Sequence, residues 1–242
     1  MAAGVLASSL IGAQAACRQA LSLGLDVSGS VDRVEYAQQI NGVAAALSNA
    51  EVQKAFLSMP DARVRLHIFE WAGSKSKRIL VPWKEIESAE DLLDVAEQLL
   101  QTDQLTPREP GTALGEAMLY GAAALADQPD CWKRTLDISS DGPSNTGPRP
   151  RDIADHPSLR DVTVNALVIG SADAWMNKNT KASISSLRAY FKAEVIQGPY
   201  AFVQTAVNYA DYADAIAAKL LRELETLAIG DTGPQRPDPS AG

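Results

Sequence analysis

The chain is short of the residues on which most active sites are built. Only two histidines, His67 and His156, and two cysteines, Cys17 and Cys131, occur in 242 residues. His67 falls on the polar phase of an alternating segment, where a solvated side chain is expected, and His156 precedes Pro157 in a loop. A Ser-His-Asp hydrolase is therefore a poor reading. No Gly-rich turn closed by Gly-Lys-Ser/Thr and no G-x-G-x-x-G occur, which removes the phosphate loop and the dinucleotide fingerprint. Lys and Arg, 22 against 30 Asp and Glu for a formal net charge of −8, form no block. Nothing resembles a surface that tracks phosphates, so nucleic acid is excluded as a partner. Beyond the N-terminus no window approaches the ~18 unbroken apolar residues of a membrane span.

What is present is enough apolar material for one sizeable core, 46% of the residues. The first residues, "MAAGVLASSLIGAQAAC", form an apolar run ending in Ala13-Gln14-Ala15, a small-x-small cleavage pattern. Residues 1–16 read as a signal peptide and the protein as exported, periplasmic or secreted. No Lys or Arg opens the segment, and the alternative is a frayed N-terminal strand in a cytoplasmic protein. Gln14, three before Cys17, is the wrong residue for a lipid anchor there.

From Gln19 to Val27 a short apolar run closed by Ser-Gly-Ser reads as a buried parallel strand. Val34, Ala37, Ile40, Val43, Ala44 and Leu47 then recur at helical steps. The segments 62–72 and 77–83 read as a hairpin with Pro82 on its edge strand, and Ser88 as the cap of the next helix. An Ala-rich helix is expected from about Thr112, strands over 132–142, 161–170 and 192–198, and a closing helix from Tyr200 to about Leu227. This succession predicts an α/β fold: a doubly wound, mostly parallel sheet with one antiparallel edge hairpin strand and helices on both faces. One domain should span 18–228, followed by a Pro- and Gly-rich disordered tail over 229–242.

Three segments carry chemistry. "DVSGS" ends the first strand, where open α/β sheets gather their ligands, and sets out Asp26, Ser28 and Ser30 as alternating oxygen donors. Taken alone it is equally well a helix cap supplied by Ser28 or Ser30. "PGTALGEAM" adds Thr112 at a loop-to-helix junction, and "DISSDG" adds Asp141 at the end of a later strand. Hard oxygen ligands from three loops suit Mg²⁺, with Mn²⁺ or Ca²⁺ as alternatives.

In order and spacing these segments resemble the metal-ion-dependent adhesion site of von Willebrand factor A domains. More narrowly, "LDVSGSVD", "FEWAG", "VPW", "GTALGEAM", "DISSDGPSNTG" and "YADAIAAKLLREL" are similar to an uncharacterised bacterial group of such domains, described only as a domain of unknown function. The resemblance implies that Ser28, Ser30 and Thr112 bind a divalent cation, with Asp26 and Asp141 binding directly or through water. A protein partner's Asp or Glu would complete the shell, making the site a docking point with no catalytic residues. Two further acids, Glu70 and Glu116, fall near the expected crevice, and either would add negative charge if it reached the ion. Alternatives are a metal-dependent hydrolase of phosphate esters, with Glu70 or Glu116 as base, and a structural module with an empty site. Asp32 reads as a first-turn helix residue outside the metal shell.

Cys17 lies nine residues before Asp26 and Cys131 ten before Asp141. If both aspartates end adjacent parallel strands, the cysteines stand at matching depth at the strands' other ends. This predicts a Cys17–Cys131 disulfide, with two free thiols as the alternative.

Overall fold

The computed structural model describes residues 16–104, 106, 109–170 and 180–225. The segments read as signal peptide and tail therefore lie outside the described residues, except that Ala16 already belongs to the first strand.

Among the described residues six strands form one sheet: β1 (Ala16–Asp26), β2 (Ala62–Trp71), β3 (Lys77–Ile86), β4 (Lys133–Ser140), β5 (Thr163–Ile169) and β6 (Val203–Ala206). Their spatial order is β3-β2-β1-β4-β5-β6, and every neighbouring pair is parallel except β2 with β3. The antiparallel hairpin thus lies at the edge, where Pro82 can go without donating a ladder hydrogen bond. The six described α-helices are α1 (Arg33–Ser48), α2 (Ala50–Phe56), α3 (Ala89–Leu100), α4 (Leu114–Ala126), α5 (Thr180–Glu194) and α6 (Tyr212–Glu225).

The two faces of the sheet have separate cores. Leu21, Leu23 and Leu25 of β1 pack with Val43 and Leu47 of α1, Leu92 and Leu99 of α3, and Ile216 and Leu220 of α6. On the other face Phe69 and Trp71 of β2 and Leu136 and Ile138 of β4 pack with Met118 and Leu125 of α4 and Phe191 of α5. Each fully buried Leu or Phe contributes roughly 1.5–3 kcal/mol. Capping boxes start two helices: Asp32 accepts from Val34 N and Glu35 N at α1, and Ser88 accepts from Asp91 N at α3.

Three expectations fail. The segment 192–198 is not a strand: it is the end of α5 followed by one isolated bridge, Val164 to Gln197. The closing helix starts at Tyr212, not Tyr200, because the four-residue strand β6 and a short 3₁₀ turn over Tyr209–Asp211 occupy the interval. Phe202, Ala206 and Tyr209 fall at helical spacing by coincidence. His67 is not solvated but 2% exposed. Both sheet faces are covered by helices, so alternation along β2 separates two interiors, not inside from outside. His67 Nδ1 shares a 2.8 Å hydrogen bond with Ser22 Oγ, and its ring stacks on Phe69 and Trp83. Burial pushes its pKa down to about 4.

Behind the sheet lies an internal ion cluster. Lys219 Nζ of α6 is 2.6 Å from Asp137 Oδ2 on β4 and 2.7 Å from Glu223 Oε1, all three side chains at most 1% exposed. Asn165 Nδ2 donates to the same Glu223 oxygen at 2.6 Å.

At the opposite end of β1 and β4 from their aspartates, Cys17 and Cys131 form a disulfide with their Cα atoms 4.5 Å apart. The β1–β4 register, which sets Gln19 against Lys133, accounts for the match in depth inferred from the spacing.

Candidate metal centre

The order β2-β1-β4-β5 makes the carboxyl ends of β1 and β4 a topological switch point, where connections leave towards opposite faces and open a crevice. Asp26 ends β1, and Asp141 follows the last residue of β4. The α1 cap falls on Asp32, so neither Ser28 nor Ser30 is needed as an N-cap and both hydroxyls turn into the crevice. The cap-or-ligand ambiguity of "DVSGS" is thereby resolved against the cap. Similarly the N-cap position of α4 is Ala113, with no side-chain cap, which leaves the Thr112 hydroxyl to the site.

The five predicted residues are joined by one chain of contacts. Thr112 Oγ1 donates to Ser28 Oγ at 3.2 Å, Ser28 Oγ lies 3.2 Å from Ser30 Oγ, and Ser30 Oγ donates to Asp141 Oδ1 at 2.8 Å. Asp26 Oδ1 accepts from Ser28 N at 2.7 Å. Asp26, Ser28 and Thr112 are buried, whereas Gly29 and Ser30 open to solvent. The crevice therefore has a hydroxyl and carboxylate floor and one accessible side.

Loop 142–148 holds Thr112 in place. Asn145 Oδ1 accepts from Thr112 N at 2.8 Å, and Asn145 N and Ser144 Oγ both donate to Thr112 O. Close approach of α4 requires glycine at 115, where a Cβ would fall 2.1 Å from Pro148 O.

Electrostatically the site is under-compensated. Burial and, after it, repulsion by Asp141 push the Asp26 pKa up to about 7, against hydrogen bonds from Ser140 and Ser28. Burial likewise raises Asp141, against hydrogen bonds from the Ser30 hydroxyl, its own backbone N–H and the Tyr209 hydroxyl. Among the described residues no Lys or Arg forms an ion pair with either. No group of three or more His, Cys, Asp or Glu forms among the described residues, so a cation here would be held mainly by hydroxyls and two carboxylates.

The other candidate acids are engaged elsewhere. Glu70 is fully buried but faces α1: Arg78 lies 2.7 Å from its Oε1 and the Tyr36 hydroxyl donates to its Oε2 at 3.1 Å. Glu116 is partly exposed, 3.9 Å from Lys77 Nζ. Of the histidines, His67 is buried against Ser22 and His156 caps a 3₁₀ turn through Ser158.

Two participants were missed. Ser140 Oγ donates to Asp26 Oδ2 at 2.5 Å, fixing that carboxylate from β4. It stands beside Asp141 in "DISSDG", and the alternation of side chains along β4 was the signal that could have pointed it at β1. Tyr209, placed on a helical stripe by the sequence, brings a buried hydroxyl near both aspartates, whose charges together with burial raise its pKa well above the usual phenol range. No local signal indicates that.

A family model described as "Protein of unknown function (DUF1194)" matches residues 16–228. No curated protein matches the chain. Among solved structures, proximal thread matrix protein 1 from the mussel byssus, with a zinc-occupied MIDAS motif, superposes with a TM-score of 0.55 at 16% identity, over 89% of this chain and 49% of that one. The pilus adhesin SpaC from Lactobacillus rhamnosus GG, in its open conformation, gives 0.58 at 18%, over 88% and 30%. A von Willebrand factor type A protein from Catenulispora acidiphila gives 0.56 at 16%, over 86% and 43%. The chain spans about half or less of the length of each. At such identities the likeness shows the fold, which is that of a von Willebrand A domain.

Proposed function

The chain belongs to the DUF1194 family of proteins of unknown function and folds as a von Willebrand A domain, and from that premise we propose that it is an exported binding module that docks a protein carboxylate onto a divalent cation. Ser28, Ser30 and Thr112 supply neutral hydroxyls, and Asp26 and Asp141 supply the charge that balances the ion. One observation carries this reading: the buried Asp26 carboxylate and the half-buried Asp141 carboxylate repel one another with no basic side chain paired to either. An unpaired buried charge costs several kcal/mol, and a dication at this point offsets that cost. Neutral hydroxyls leave the ion electrophilic, and the open side at Gly29 and Ser30 gives an incoming Asp or Glu a route to it.

Mg²⁺ fits this oxygen set, with Mn²⁺ or Ca²⁺ as alternatives, and the zinc in the mussel relative's MIDAS adds Zn²⁺ to the ions worth trying. We read the site as non-catalytic, because Glu70, Glu116 and both histidines are committed to other contacts. The disulfide favours an oxidising compartment, in keeping with export.

Calorimetric titration with Mg²⁺, Mn²⁺, Ca²⁺ and Zn²⁺ tests the proposal. We expect one site, weakened at least tenfold in Asp26→Ala and in Asp141→Ala. Absence of binding, or binding unchanged in both variants, sinks the cation. Proteins retained on the immobilised chain identically with and without chelator would sink the metal-bridged partner.

A further inference from the structure

At the pole opposite the metal crevice, beyond the amino ends of β4 and β5, lies a hollow of about 470 Å³. Two aromatic side chains border it and turn outwards: Trp132, 58% exposed, and Tyr200, 85% exposed. Lys133, Arg134 and Arg160 line it against a single acid, Asp161, which pairs with Arg134 at 3.4 Å.

Tyr200 stands where tyrosine is least expected. Ala201 N bonds to Gly198 O at 3.4 Å, closing a turn with Pro199 second and Tyr200 third. The third residue has φ of 59°, and Tyr200 is the only non-glycine residue with positive φ among the described residues. Turns of this kind normally place Gly or Asn there, because a Cβ is strained in left-handed backbone. The fold gains nothing from the ring, which projects into solvent. Strained backbone positions of this kind cluster at active sites and ligand clamps.

Trp132 is less exposed, and its backbone is rigidly mounted. Its neighbour Cys131 is tied to Cys17 by the disulfide, and its own N–H donates to Cys17 O at 2.9 Å. Fixed aromatic anchors beside arginine are the composition of protein-binding hot spots, since little side-chain entropy is lost when they are covered. The charge of the lining selects the partner: two arginines face one aspartate here, while Lys133 turns its ammonium to Glu223 O, on a chain of net charge −8.

We propose that this hollow is a second docking site, which takes an extended acidic segment of a protein partner: its Asp or Glu carboxylate pairs with Arg160 and Arg134, and its neighbouring apolar residues lie between Trp132 and Tyr200. The site contains no metal ligands, so it works with the crevice empty, and the module has two independent carboxylate-binding poles.

The test is selection of a displayed library of random linear dodecapeptides on the full native chain, in EDTA so that the metal crevice is silent. Enriched peptides should carry Asp or Glu beside apolar residues. They should bind at least tenfold more weakly to Tyr200→Gly and to Arg160→Glu, and more weakly as salt rises. Tyr200→Gly should melt no lower than the native chain, since glycine relieves the left-handed strain, which separates lost binding from lost folding. Three results overturn the proposal: no enrichment, enriched peptides without an acid, or equal binding by Tyr200→Gly. Polygalacturonate binding where no peptide does would assign the hollow to acidic glycans instead. A dimer in sedimentation that Tyr200→Gly converts to monomer would assign it to a second copy of the chain.

Discussion

Two pairs of carboxylates cluster around β4, all buried except the half-buried Asp141, and the fold treats them in opposite ways. Asp137 and Glu223 close on Lys219, which sits within 2.7 Å of both and supplies an internal cation. Asp26 and Asp141, at the carboxyl end of the same strand system, receive hydroxyls and one backbone N–H but no internal cation. The first cluster carries its own cation, although Asp137 Oδ1 and Glu223 Oε2 remain without a hydrogen bond. The second is the same problem left open, with hydroxyl oxygens placed where an ion could meet them. Buried acids are therefore uninformative about function until the positive charge that should accompany them has been looked for.

The largest effect should come from opening the closed cluster. Lys219→Met leaves Asp137 and Glu223 buried without their cation and should lower unfolding free energy by about 3–5 kcal/mol in urea denaturation. Divalent ions should not restore it, because the cluster lies in the interior and lacks hydroxyl ligands; restoration by Mg²⁺ would erase the distinction between the two clusters.

A smaller effect follows from pH. The Asp26 pKa is raised to about 7 in the folded chain, above its unfolded value of 3.8, and Asp137 is raised to about 7 as well, chiefly by burial. The folded state thus binds more protons between these values. The stability each group contributes is full below about pH 4 and is lost as pH rises through about 7. Without metal, chemical denaturation from pH 5 to pH 8 should show a decline of roughly 2–3 kcal/mol for each of the two groups. Saturating cation should remove the share due to Asp26 and leave that due to Asp137. A decline unaltered by the ion would mean that Asp26 does not feel it.

The smallest is also the most pointed. Asp141→Asn removes like charge from the open site and should stabilise the metal-free protein by about 1 kcal/mol, read as a rise in Tm, while abolishing the stabilisation by divalent ions. A loss of stability in the metal-free variant would show that Asp141 serves the fold and not a ligand.

Much of this arrangement can be read from the chain, and what cannot follows a pattern. Local signals were legible: the apolar run ending at Asp26, the helical stripe from Val34, the hairpin with Pro82 at its edge, the cap at Ser88 and the matched cysteines. Site residues next to strand ends were legible too, because chain direction decides where a strand's last residues go. Features set by tertiary context were not. Lys219 and Glu223 look like a solvated i, i+4 pair until β4 brings Asp137 beneath them. His67 looks exposed until α4 covers its face of the sheet, and β6 is too short to break a stripe that mimics a helix.

The disulfide also decides how the molecule meets force. Cys17 and Cys131 are 114 positions apart, so β1 to β3 and α1 to α4 lie inside one covalent ring. At about 3.5 Å per residue, that ring withholds about 400 Å of contour from any pull on the two ends of the chain. Tension enters at residue 17, crosses the sulfurs and leaves through β4. The first two segments of the metal crevice, 26–30 and Thr112, ride within the ring as unloaded cargo, while Asp141 hangs on the strand that carries the strain.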